Sequence, residues 1–260
     1  MVNALARARR HRVAPVLLML LALLTVGVGY AVVAPQPAQA TATSDEVEQG
    51  ERLFQANCAS CHGMNAQGTD GVAPSLIGVG SAAVHFQVAT GRMPMAASAP
   101  QAPSKNPQFD AEQTRQLAAY VATLGPGPAI PTEEQVDPEL GDAAEGMLVF
   151  RTNCAMCHNA IGAGGALSEG KYAPSLFAST PTEIYEAMLT GPQSMPVFND
   201  ANITPEAKRD VIAYLMAQRE QDPGGANLGS VGPVSEGMWV WIIGMGSLIG
   251  FAVWIGAKSS

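Results

Sequence analysis

Apolar residues gather at the two ends of this chain and are interleaved with polar ones in between. From Val13 to Ala34 no charged side chain occurs over 22 positions, and from Met238 to Ala257 none over 20. Either run is long enough to cross about 30 Å of hydrocarbon as a helix. The first lies within an N-terminal hydrophobic segment, 1–40, which reads as a retained transmembrane anchor or as a signal peptide. Ala38-Gln39-Ala40 has the small-x-small form of a cleavage site. The second, 238–257, is apolar on every face and carries Trp239, Trp241 and Trp254 near its ends. It is expected to be a C-terminal transmembrane helix with interfacial anchors.

Between these runs the periodicity is helical. Leu117, Tyr120, Val121 and Leu124 fall on one face at i, i+3, i+4 and i+7 spacing, and Val211, Tyr214 and Leu215 repeat the pattern. Asp110 with Gln113, and Asp142 with Glu145, have the spacing of capping boxes, and Thr204-Pro205 places proline at a first helical position. No stretch sustains a period of two, so the chain is expected to be mainly α with little sheet.

The middle of the chain also repeats itself. Gly50-Glu51-Arg52-Leu53-Phe54 matches Gly146-Met147-Leu148-Val149-Phe150, and Asn57 matches Asn153. Ala73-Pro74-Ser75-Leu76 recurs as Ala173-Pro174-Ser175-Leu176, and Thr90-Gly91-Arg92-Met93-Pro94 as Thr190-Gly191 followed by Met195-Pro196. Ala118-Ala119-Tyr120-Val121 matches Ile212-Ala213-Tyr214-Leu215. Landmarks in one order describe a duplication: a first domain at 44–125, a proline-rich linker at 126–139, a second domain at 140–220 and a glycine-rich tether at 221–237. A run at 96–107, rich in proline and alanine, has no counterpart of that length in the second copy.

Charge narrows the partners. Arg7, Arg9, Arg10, Arg12 and Lys258 lie at the extremes, so the stretch between carries nine basic against 22 acidic side chains. A surface of that sign excludes nucleic acid and suits either solubility or a positively charged protein partner. The positive-inside rule places the terminal cations in the cytoplasm. The domains at 44–220 are then extracytoplasmic, with both termini cytoplasmic if the first helix is retained.

The chemistry lies in two copies of one motif, Cys58-Ala59-Ser60-Cys61-His62 and Cys154-Ala155-Met156-Cys157-His158, which use every cysteine present. Cys-x-x-Cys-His is the attachment motif of a c-type haem, with thioethers from both thiols to the porphyrin. Cys-x-x-Cys alone also suits a redox dithiol or half a zinc site. Two covalent haems c are expected, at Cys58/Cys61 and Cys154/Cys157.

With these motifs in place, both copies resemble the class I cytochrome c family. The fold class implied is two tandem class I cytochrome c domains between the terminal hydrophobic helices. The resemblance implies His62 and His158 as proximal iron ligands and the methionines before proline, Met93 and Met195, as the opposite ligands. Met95 is an alternative to Met93. It also implies that the Pro74 and Pro174 carbonyls accept the other N–H of each ligating histidine. His85 is left as a surface or internally satisfied residue. His/Met ligation raises a haem's reduction potential and leaves no open coordination position, which favours electron transfer over a haem peroxidase.

The whole layout resembles the dihaem cytochrome c subunits of actinobacterial cytochrome bc complexes. That resemblance implies membership of a quinol:cytochrome c reductase. Its partners would be a cytochrome b subunit, a Rieske iron–sulfur subunit and a cytochrome aa-type oxidase, with membrane lipid around its helices and no catalytic residue of its own. The alternative is a free-standing membrane-anchored carrier or the cytochrome subunit of a periplasmic dehydrogenase. The run at 96–107, next to Met93, is expected to meet a partner protein.

Overall fold

The computed structural model of this chain describes residues 13–33, 42–97, 99, 101–220 and 233–257. The arginine cluster, Ala38-Gln39-Ala40, Lys258 and most of the 221–237 tether lie outside the described residues.

Residues Ala14–Val33 form helix α1, whose long apolar side chains, Leu17 to Val28 among them, are exposed. The helix that closes the chain, Pro233–Ala257, contains the span Gly237–Ala257, with mean hydropathy 1.9. It is the one helix among the described residues long and apolar enough to cross a membrane. Its exposed Trp241, Ile243, Leu248 and Val253 form a surface suited to lipid rather than water.

Between them stand two helical halves of one plan. The first comprises α2 (Ser44–Asn57), the one-turn α3 (Ala59–His62), α4 (Gly80–Ala89) and α5 (Ala111–Ala122). A short α6 (Glu133–Val136) and a 3₁₀ turn (Pro138–Leu140) lead to the second half. That half comprises α7 (Ala143–Asn153), the one-turn α8 (Ala155–His158), α9 (Pro181–Thr190) and α10 (Pro205–Glu220). The described sheet is one antiparallel pair, β1 (Gly165–Ala166) with β2 (Tyr172–Ala173), Gly165 facing Ala173 and Ala166 facing Tyr172.

Each half is built on a close helix crossing, α2 against α5 and α7 against α10. Glycine makes the approach: a Cβ on Gly50 would sit 1.9 Å from the Gln116 carbonyl oxygen, and one on Gly146 1.8 Å from that of Asp210. One turn further along, Phe54 stacks on Tyr120 with ring centroids 5.3 Å apart, and Phe150 on Tyr214 at 5.4 Å. Such tilted pairs stabilise beyond the area they bury. Two separate cores follow, one around Phe54, Leu117 and Val121 and one around Phe150, Val211, Ile212 and Leu215.

The caps decide where the helices begin. Asp110 and Gln113 form the reciprocal box read from sequence, and Thr180 with Glu183 form another at α9. Asp142 departs from expectation. Its carboxylate accepts from Ala144 N and Glu145 N, but its own N–H donates to Asp210 Oδ1 at 2.8 Å rather than to Glu145. A carboxylate from α10 has replaced the local partner. The linker is not free either: Ala82 N donates to Pro128 O (3.1 Å) and Ile130 N to Ser81 Oγ (3.2 Å), so the chain lies across the start of α4.

Helices α4 and α9 pack against each other and join the halves. At their contact His85 Nδ1 lies 2.9 Å from Glu186 Oε2 and 2.8 Å from Oε1. Glu186 is completely buried. His85 is therefore an internally satisfied residue.

Candidate functional site

The two Cys-x-x-Cys-His segments fold alike. In each, the final backbone turn closes through His62 N to Cys58 O and His158 N to Cys154 O, both 2.9 Å. One helical turn sets the first cysteine and the histidine on a common face. The chain then leaves in the left-handed region, at Gly63 (φ 79°) and Asn159 (φ 67°). With ψ of 153° and 163° this conformation is open to glycine and strained for asparagine.

His62 Nδ1–H donates to the Pro74 carbonyl at 2.8 Å, and His158 Nδ1–H to that of Pro174 at 3.0 Å. A carbonyl can only accept, so Nδ1 carries a proton in both rings, and in a neutral ring the lone pair is then on Nε2. Both imidazoles are buried, and burial holds His158 below the ordinary histidine range against the opposing pull of the Pro174 bond. Each ring is thereby held in one orientation by its proline carbonyl.

Two residues not singled out from sequence make this bond possible. Gly68 N donates to His62 O and Gly164 N to His158 O, each at 2.8 Å, with φ of 84° and 86°. A Cβ there would lie 2.8 Å from the carbonyl carbon of Pro74 or Pro174. Only glycine lets the proline loop lie flat on the motif. The signal was present: both glycines stand six residues past the histidine.

The thiols are unpaired. Burial, and then the neighbouring thiol of the motif, pushes Cys58 and Cys154 up to about 11. Among the described residues no three His, Cys, Asp or Glu side chains are grouped to hold a metal ion. Met93 packs, half-buried, against the core cluster that also contacts Cys58, and Met195 against the cluster that contains Cys154. Met95 is half-buried outside that cluster. In each half the first thiol and a thioether border one apolar core, and the motif adds a second thiol and a buried imidazole, a donor set that fits a covalently held haem.

That places the chain in the class of c-type cytochromes. The cytochrome family described as "Cytochrome C oxidase, cbb3-type, subunit III" matches residues 45–121 and again 141–215. The chain is 46% identical over 230 residues to the "Cytochrome bc1 complex cytochrome c subunit" of Corynebacterium efficiens, covering 82% of this chain and 77% of that one. To the protein of the same description from Mycobacterium bovis it is 49% identical over 222 residues, covering 82% and 78%. An 88-residue stretch is 34% identical to "Cytochrome c6" of Limnospira maxima and spans 98% of that protein but only 31% of this one. The chain belongs to the family of cytochrome c subunits of cytochrome bc1 complexes.

Proposed function

We propose that this chain is the membrane-anchored dihaem cytochrome c subunit of a cytochrome bc complex. In this reading it relays electrons from the Rieske iron–sulfur protein to an aa-type terminal oxidase, on the extracytoplasmic side of the membrane. The observation that carries the reading is the strict repetition of the site: the same motif, the same proline carbonyl on the same imidazole nitrogen, and a methionine on the same core, in two tandem domains. The likeness of one third of the chain to a whole single-domain cytochrome supports a division into two such domains.

Cys58 and Cys61, and Cys154 and Cys157, would hold the two haems through thioethers. When bound, each haem supplies reversible one-electron exchange at its iron. His62 and His158, oriented by Pro74 and Pro174, would supply imidazole nitrogen to the iron, and Met93 and Met195 would supply a soft thioether, which favours the reduced metal. The packing of Met93 against the Cys58 side of the core favours it over Met95. The closing helix, Pro233–Ala257, anchors the domains, and their acidic surface suits a basic docking face on a partner.

Purification of the full chain from membranes in mild detergent tests the assignment. Cytochrome b, Rieske protein and oxidase subunits are expected to co-purify in constant ratio. Recovery of the chain alone, with both haems intact, would assign it instead to a free-standing carrier.

A further inference from the structure

The two halves differ by three insertions, and all three meet. Between the glycine after the motif and the ligating-loop proline, the second half has a longer segment: β1, a turn and β2 (165–173) stand where the first half has only 69–73. Pro192-Gln193-Ser194 stand before Met195 where Arg92 alone precedes Met93. After the methionine it is the first half that is longer, with the run at 96–107.

That run turns inward, toward this chain's own second half. Gln101 Nε2 donates to Tyr172 O at 2.7 Å while Gln101 Oε1 accepts from Tyr172 N at 2.9 Å. Its amide thus reads the backbone of β2 as a neighbouring strand would. The next residue, Ala102, is 2% exposed, and its N–H donates to Gln193 Oε1 at 3.2 Å. Gln193 sits two residues before Met195 in a turn closed by Met195 N to Pro192 O (3.1 Å), and its φ is +60°. A non-glycine residue holds that conformation only where its surroundings fix it. The other end of the run is tied to its own methionine loop: Ser104 Oγ and Lys105 N donate to Thr90 O (2.8 and 3.3 Å), and Lys105 Nζ to Pro94 O (3.1 Å).

We propose that residues 101–105 are a strap by which the first half positions the methionine loop of the second, with Gln101 and Gln193 as the positioning residues. The inference rests on Met195 being the iron ligand of the second site. The local sequence of the 192–195 turn is strained, and the strap supplies from 91 residues away the contact that holds it. The same strap fastens to both methionine loops, so the sites share one mechanical support. Loosening it weakens Met195 as a ligand while leaving both haems attached, since no cysteine is touched.

The test uses the full holoprotein, oxidised, with imidazole added to displace methionine and the near-red absorbance band of Met–Fe(III) as readout. Met195→Leu identifies the displacement phase that belongs to the second site by abolishing it. Gln101→Ala is expected to shift that same phase to about fivefold to tenfold lower imidazole, the equivalent of one or two lost hydrogen bonds. Gln193→Gly is expected to shift it too, although glycine suits φ +60°, whereas Gln193→Glu keeps an acceptor for Ala102 and is expected to stay within about twofold. An unmoved phase in Gln101→Ala overturns the strap, and so does a shift in Gln193→Glu as large as in Gln193→Gly. Retention of both phases in Met195→Leu overturns the ligand assignment, and the strap's role with it.

Discussion

Glu186 combines complete burial with a carboxylate, and its contact with His85 crosses from one half to the other. Burial above all, with Glu183 adding to it, pushes its carboxyl above the ordinary carboxylate range, while the His85 hydrogen bond pulls it back. Raised in the folded chain, the group is still protonated at pH values where the unfolded chain has released its proton. Its contribution to stability is therefore full below the ordinary carboxylate range and is lost as pH climbs through the raised value. Glu186→Gln removes that titration. Its denaturation midpoint is expected to gain on that of the wild type as pH rises from about 4 towards neutrality. Midpoints that run parallel across that range would show that Glu186 titrates as an ordinary carboxyl.

At the scale of the element, the crossing glycines carry the most weight. An added methyl on Gly146 cannot avoid the Asp210 carbonyl without parting α7 from α10, and the same holds for Gly50 with Gln116 between α2 and α5. Gly146→Ala is expected to destabilise the second half by about 1–3 kcal/mol, the usual cost of overpacking. A denaturation curve superimposable on the wild type would contradict that. Helices α5 and α10 were legible in the sequence from their apolar faces, and α5, α7 and α10 from their N-terminal signals. Neither α4 nor α9 was delimited from sequence: on α4, packed against α5 and α9, Ala82, Phe86 and Val88 give no single stripe, whereas Ile184, Tyr185 and Met188 share one face of α9. Asp142 misled for a related reason: its box partner lies 68 residues away, on α10.

On the scale of the whole molecule, the duplication made the candidate sites readable. The cysteines, histidines, methionines and loop prolines assigned to the sites recur in both copies, in the same order. What joins the copies was not readable, because an insertion has no partner in the repeat. The bond from Gln101 to Tyr172 spans 71 residues and leaves no local pattern. The run at 96–107, expected to meet a partner protein, also makes contacts within this chain at residues 101–105. The central claim is that one chain carries two covalent haems, each on its own Cys-x-x-Cys-His motif. A pyridine haemochrome assay on the purified polypeptide, against its concentration from amino-acid analysis, tests this most directly. Two thioether-linked haems per chain are expected, falling to one when Cys154 and Cys157 are both replaced by alanine. A ratio of one in the unaltered chain would contradict the claim.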